Sequence, residues 1–599
     1  MADRDHPLAP ERARRELTRI SALTPITISD WLHRQAHGDR FTLPHPAVMR
    51  DAFNQLGLQM LRHWGRVAES QAHLCRDWTL IWQRNWLGTG ELPEAAAAAC
   101  EDRRFQGEPW RANLAFDVLR QSYHAAAHQI REATQDITAG LGPQERDRVR
   151  FYTERTVEAL APTNHAATNP EVLQETLRTG GENLLRGSRH ALEDLARGHG
   201  QLRISQTRID DFELGRDIAA TPGKVVYQNA LMQLIQYSPT TETVARHPLL
   251  IVPPWINKYY ILDLVPRKSF IQWAVNQGLT VFLISWVNPD ASYAEVTFED
   301  YMQRGPLAAL DAIEQATGER EINTIGYCIG GTLLACTLAW LRARDDERVQ
   351  SATFFTSLLD FSDVGPLSVF IDAEQIEYME AEMSQRGYLD GSHLANAFNL
   401  LQARDLIWGG VVNNYLMGRE PSAFDLLYWN ADSTRMPYRM QSFYLRNMYL
   451  HNRLREPGGI TLAGEAIDLA SIDIPAFFLA TQRDHIAPWT GCYRSARLPG
   501  GDKRFVLGGS GHIAGVINPE GSPKYGYWTN DEQPDEPEQW LAGATAHEGS
   551  WWPAWRDWLA PLRGDEVNTR QPGDGALDVI EDAPGTFVRT RADRSMGAD

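Results

Sequence analysis

The segment Gly326-Tyr327-Cys328-Ile329-Gly330-Gly331-Thr332 constrains this 599-residue chain more than any other. An apolar, β-branched run over residues 322–325 leads straight into it, and a helical run over 333–341 leaves it. A strand that turns directly into a helix through Gly-x-Cys-x-Gly makes a tight elbow. Gly326 and Gly330 remove side chains that would collide across the turn, and the central residue is held in strained backbone at its tip. The helix start directs free N–H groups and the positive end of its dipole toward that residue. A cysteine in this place is favoured as thiolate, and the amide of Ile329 is placed to donate to a developing oxyanion. A buried structural cysteine in a Gly-rich turn is the alternative that the motif alone leaves open.

The texture around the elbow says what it is embedded in. From about residue 200, apolar runs at 249–252, 281–285, 322–325, 352–356 and 476–480 alternate with helical segments. Such alternation implies a mostly parallel sheet covered on both faces. Between about 361 and 472 the alternation weakens and aromatics accumulate: Trp408, Tyr415, Phe424, Tyr428, Trp429, Phe443, Tyr444 and Tyr449. An insertion of that length between two core strands is read as a cap subdomain. Upstream, residues 46–200 read as a helical domain. Met49, Phe53, Leu56, Met60 and Trp64 recur at helical steps, as do Trp78, Trp82 and Trp86, and these stripes are expected to be core-packing faces. Residues 1–45 show no clear periodicity and are expected to be partly disordered. The tail after about 562 is expected to pack weakly beyond 588. The fold class is therefore α/β, with residues 201–599 forming the catalytic domain and its cap insertion.

A nucleophile needs a base, and the base needs an orienting group. In the α/β-hydrolase fold the chain order is nucleophile, acid, histidine. Asp484 follows the late strand, and His512 follows the next apolar run, Phe505-Val506-Leu507, in Gly508-Gly509-Ser510-Gly511-His512. Cys328, Asp484 and His512 thus form a triad in that order. His485, adjoining Asp484, is a second choice for the base; Asp360 and Asp363, after the strand that follows the elbow, are alternatives for the acid. The loop Pro253-Pro254-Trp255-Ile256-Asn257-Lys258, after an early strand, is where the second oxyanion donor belongs, and the backbone amide of Ile256 is the candidate. A thiolate exchanges readily with thioesters, so these residues point to acyl transfer at least as much as to hydrolysis.

Composition removes other classes. Lys and Arg number 58 against 77 Asp and Glu, a net charge of −19, which opposes general nucleic-acid binding and a polybasic membrane anchor. Five widely spaced cysteines with no C-x-x-C pair support neither a zinc ribbon nor a redox motif and suit a reduced cytoplasmic protein. The N-terminus lacks the apolar core of a secretory signal, and no run has the length of a membrane span.

From about 102 to 588 the chain resembles the polyhydroxyalkanoate synthases, in particular the single-subunit class I type. The resemblance rests on Asp102-Arg103-Arg104-Phe105 with Pro109-Trp110-Arg111, on Ala161-Pro162-Thr163-Asn164 and Thr168-Asn169-Pro170-Glu171, on Thr221-Pro222-Gly223-Lys224-Val225-Val226, on Ile256-Asn257-Lys258-Tyr259-Tyr260-Ile261-Leu262-Asp263-Leu264, and on Ser510-Gly511-His512-Ile513-Ala514-Gly515. It implies polymerisation of (R)-3-hydroxyacyl-CoA, typically the hydroxybutyryl thioester, into a polyester with release of CoA. Cys328 then resembles the acyl-bearing nucleophile and His512 its base, while Asp484 either orients His512 or helps deprotonate the substrate's 3-hydroxyl. The resemblance further implies a homodimer, a helical N-terminal domain that supports dimerisation and attachment to the polymer granule, and a cytoplasmic enzyme at the granule surface. No metal and no organic cofactor is implied, CoA being the leaving group. Two rival readings are a cysteine-dependent thioesterase or polyester depolymerase on the same fold, and a non-catalytic granule scaffold.

Overall fold

Eleven strands make one sheet: β1 (Gly223–Gln228), β2 (Met232–Tyr237), β3 (Leu249–Val252), β4 (Val281–Trp286), β5 (Ile322–Tyr327), β6 (Val349–Phe355), β7 (Ala476–Thr481), β8 (Lys503–Gly508), β9 (Tyr527–Thr529), β10 (Thr545–His547) and β11 (Glu581–Asp582). The computed structural model in which they are seen describes residues 10–37, 46–98 and 101–592. The spatial order is β10-β9-β8-β7-β6-β5-β3-β4-β2-β1-β11. The six central strands, β8 to β4 in that order, run parallel. The flanking strands pair antiparallel on both sides. This is the parallel-centred sheet of an α/β-hydrolase fold.

β3, β4, β5 and β7 are buried at every position, which is why they read as unbroken apolar runs rather than as alternating ones. The strands at the sheet's margins were not foreseen. They are short or of mixed polarity, and local devices place them: Asn229 turns β1 into β2 by accepting from the amides of Leu231 and Met232 at 2.8 and 3.0 Å. On one side the sheet is sealed by a tryptophan-rich helix, Trp552–Leu559. Trp551, Trp552 and Trp555 are buried with Phe270, Phe355 and Phe477. Each indole N–H finds an acceptor, at Gly515 O, Val516 O and Thr353 Oγ1 respectively, so the polar edge of each ring is satisfied inside the core.

The contacts divide the chain into two units. The second, residues 209–395 and 423–599, holds the sheet. The first, which spans residues 1–208 and 396–422, is helical over its described residues. Residues 396–422, which the sequence places inside the cap insertion, thus belong to the helical unit. They are held there by backbone carbonyls. Arg155 donates to Leu400 O and Leu401 O, Asn183 to Leu416 O, and Arg186 to Gly418 O. His190 Nδ1 lies 3.0 Å from Asn414 O. Gly187 is obligatory here because a Cβ would sit inside the Tyr415 carbonyl.

Two expectations are corrected. Residues 10–37 form a helix, packed against the helix Glu182–Arg197 and anchored by Glu16 on Arg189 at 2.7 Å. The remaining residues of the 1–45 segment lie outside the described ones. The apolar stripes do lie along single faces, but those faces are not core. In the helix Pro46–Arg62 the buried residues are Val48, Ala52 and Gln59, while Met49, Phe53 and Met60 are exposed. Trp78, Trp82 and Trp86 are 47%, 51% and 52% exposed, and Trp64 67%. Helical period decides which residues share a face, not what that face meets.

Candidate active site

Cys328 stands between the last residue of β5 and the helix Ile329–Ala343, with φ +54° and ψ −126°. That left-handed φ is costly for a residue with a side chain. Cys328 N–H donates to Phe355 O at 2.9 Å and its carbonyl accepts from Gly331 at 2.9 Å. The neighbouring turn tolerates no bulk: a Cβ at Gly330 would strike the carbonyls of Val252 and Pro253. The strain foreseen from the glycines is thus centred on the cysteine itself.

Asp484 and His512, the residues expected as acid and base, come from the turns after β7 and β8. Asp484 is fixed by the amides of Ile486 and Ala487, which donate to Oδ1 at 2.8 and 2.9 Å. Its other oxygen, Oδ2, lies 2.7 Å from His512 Nδ1, and both side chains are buried. The two turns are tied together by Arg483 N–H donating to Ser510 O at 2.7 Å. Tyr327 stacks on the His512 ring and donates its hydroxyl to His512 O at 3.2 Å. With Nδ1 on the carboxylate, Nε2 is the nitrogen left for the thiol. Burial depresses the basicity of His512, but the Asp484 carboxylate and the neighbouring Cys328 outweigh it and push the imidazole up to about 10. An imidazolium held against the Asp484 carboxylate is the arrangement this geometry favours.

Two backbone amides near the elbow are left without an acceptor. The N–H groups of Ile329, at the first turn of the helix, and of Ile256, in the loop after β3, have no acceptor among the described residues. Above the cysteine, Tyr444 and Tyr449 lie with ring centroids 5.4 Å apart, and Phe361 is 4.9 Å from Tyr449. Burial first, and the charges of their neighbours including Cys328, keep both phenols un-ionised.

The alternatives are accounted for elsewhere. Asp360 accepts from Asn452 Nδ2 at 2.7 Å and meets Arg455 at 3.3 Å. Asp363 accepts from Thr490 and Arg494. Both pin the segments that flank the cap. His485 is half-buried, and burial lowers its basicity. Cys336 is enclosed in the core, where burial pushes its thiol up. Among the described residues no group of three or more His, Cys, Asp or Glu side chains converges as metal ligands.

Two family models match the chain: the poly-beta-hydroxybutyrate polymerase N-terminus over residues 101–274, and the alpha/beta hydrolase fold over 248–519. The second match runs from the strand before Ile256 to just past His512. The chain is 49% identical over 529 residues to the poly(3-hydroxyalkanoate) polymerase subunit PhaC of Rhizobium meliloti, which covers 88% of this chain and 86% of that one. The chain belongs to the poly(3-hydroxyalkanoate) polymerase family. A polymerase of Methylorubrum extorquens is 50% identical over 82% of this chain and 81% of its own. The Cupriavidus necator PhaC subunit is 43% identical over 88% and 89%.

Within this polymerase, sequence reasoning missed the residues that hold the site rather than form it. Thr434, Asp432 and the amides of residues 486 and 487 carry no motif, and Tyr327, though inside the elbow motif, had no role assigned to it. The resemblance quoted Lys258 only as part of a longer match. The one signal available was that Lys258 is the last residue of the loop assigned to the oxyanion.

Proposed function

We propose that this chain polymerises (R)-3-hydroxyacyl-CoA through a covalent acyl-Cys328 intermediate. The observation that carries the reading is the buried Asp484–His512 pair beside a cysteine held at φ +54°; family membership supports it. The Cys328 thiolate attacks the thioester carbonyl. The amides of Ile256 and Ile329 donate to the oxyanion. The C–S bond to CoA breaks, and the His512 imidazolium gives its proton to the departing thiolate. Neutral His512 then takes the proton of a 3-hydroxyl, on a second monomer or the chain end. The alkoxide attacks the acyl-cysteine, an ester forms, and the Cys328 thiolate is released. The scheme needs no resident metal or cofactor.

Asp484 is read as the residue that orients and charges His512, because its two oxygens are consumed by the amides of 486 and 487 and by the imidazole. The class I resemblance favours short monomers. The exposed face with Trp64, Trp78, Trp82 and Trp86 is read as the surface that meets the polyester granule or a second copy in a homodimer, since an apolar face of that kind marks an interaction site. Among the described residues no helix is long and apolar enough to cross a membrane.

The test is CoA release from (R)-3-hydroxybutyryl-CoA with turbidity followed in the same cuvette, for the wild type and Cys328→Ala. Release with rising turbidity in the wild type and neither in the variant is expected. Release in a clear solution would mean hydrolysis. Polymer from Cys328→Ala would overturn the acyl-cysteine.

A further inference from the structure

The loop that carries Ile256 is tied down on both sides of that residue. Pro253 O accepts from Trp286 Nε1 at 2.9 Å. Trp255 O accepts from Thr434 Oγ1 at 2.6 Å. Asn257, in the left-handed region at φ +60°, donates its N–H to Thr434 Oγ1 at 2.8 Å. Lys258 O accepts from Trp429 Nε1 at 2.6 Å. The Lys258 side chain then turns inward. It is 4% exposed, and its ammonium lies 2.9 Å from Asp432 Oδ1, itself 1% exposed. The same ammonium donates to Val588 O at 2.6 Å, and Asp432 Oδ2 accepts from the Tyr260 hydroxyl at 2.8 Å.

A fully enclosed lysine–aspartate pair is an expensive way to stabilise a fold, since desolvating both ions offsets most of their attraction and an apolar pair of similar volume does as well or better. What such a pair does supply is a unique geometry. Here it joins three chain segments far apart in sequence: the loop after β3, the stretch 429–434 that ends the cap helix Asp425–Ala431 and continues past it, and the C-terminal stretch at 588. Neither group has a step in the reaction above. We propose that the Lys258–Asp432 pair, with Thr434 and the Val588 carbonyl, is the positioning device that holds the Ile256 amide at the acyl oxygen. The inference rests on the acyl-cysteine reading and on Ile256 as an oxyanion donor. Lys258 and Asp432 are positioning residues, acting through the backbone of residues 255–257. The Asn257 strain persists because both neighbours are over-determined by these bonds.

Two reactions of Cys328 separate positioning from general structural support. Attack on a thioester passes through an oxyanion; alkylation by iodoacetamide displaces iodide and forms none. In Lys258→Met and in Thr434→Val, the first burst of CoA from (R)-3-hydroxybutyryl-CoA should slow by about 10–100-fold. The loss should fall in kcat with KM unchanged, as for an interaction made in the transition state. The rate of Cys328 alkylation should stay at the wild-type value. Thr434→Val is nearly isosteric and leaves the ion pair in place, so it reads the loop even where Lys258→Met fails to fold. Wild-type burst rates in the folded variants overturn the inference alone. So does a parallel fall of burst and alkylation, which would mean the whole site had loosened. A CoA burst that survives in Cys328→Ala overturns the acyl-cysteine reading and this inference with it.

Discussion

At the residue scale, the site is a charge arrangement built on strained backbone. His512 is buried, which alone would make it a weaker base, and Asp484 with Cys328 more than reverses that. Because the folded-state value is raised to about 10, the interaction stabilises the fold fully below the imidazole's ordinary value and is lost as pH rises toward 10. Catalysis that needs the imidazolium should fall along the same alkaline limb. Asp484→Asn should lower the polymerisation rate by about 10²-fold or more and move that limb to lower pH; a limb that does not move would detach Asp484 from His512. His124 behaves in the opposite sense. Burial holds it down at about 4 against the pull of Asp102, with Arg104 and Arg120 adding to the depression. Its stability contribution is present above the ordinary imidazole value and is lost as pH falls toward 4. Melting temperatures at pH 7 and 4.5 should therefore differ more for the wild type than for His124→Leu.

At the scale of elements, the informative pieces are those whose neighbours are distant in sequence. The central strands were legible because burial on both faces leaves an unbroken apolar run, and the elbow because its glycines mark a turn no other residue fits. β1, β2 and β9 to β11 were not, since an antiparallel margin strand is recognised by its partner rather than by its own residues. The 396–422 segment is the sharpest case: its carbonyls are satisfied by Arg155, Asn183 and Arg186 of the helical unit, and nothing in the segment announces this. Gly187→Val drives a side chain into the Tyr415 carbonyl and should cost about 1–3 kcal/mol of stability, read by chemical denaturation. A wild-type midpoint would show that the segment shifts freely. The C-terminal stretch is similar. Its polar composition suggested weak packing beyond 588, yet Thr590 O accepts from Asn288 and Ala592 O from Arg435; residues 593–599 lie outside the described ones.

At the scale of the whole molecule, the chain carries a net charge of −19 and, on its helical unit, an apolar face open to solvent. Trp82 and Trp86 stack on each other with centroids 6.2 Å apart. Half-exposed rings contribute little to the fold of a single chain, so Trp78→Ala, Trp82→Ala and Trp86→Ala combined should leave the melting temperature nearly unchanged. The same variant should bind polyester particles more weakly in a co-sedimentation assay. Undiminished binding would remove this face from the granule contact, and sedimentation velocity would then show whether it joins two copies.

By itself the sequence determined the elbow, the order Cys328–Asp484–His512 along the chain, the parallel core and the family, because each of these is written locally, in turn glycines, apolar runs and long motif matches. Only the tertiary structure decided that the acid and base turns meet at 2.7 Å, that Lys258 is an enclosed cation rather than a surface one, that part of the cap insertion belongs to the helical unit, and that the tryptophan stripes face outward. The physical reason is the same in each case. Burial and ion pairing are properties of what a side chain meets, and for these residues the partners lie tens to hundreds of positions away, where no local pattern reaches.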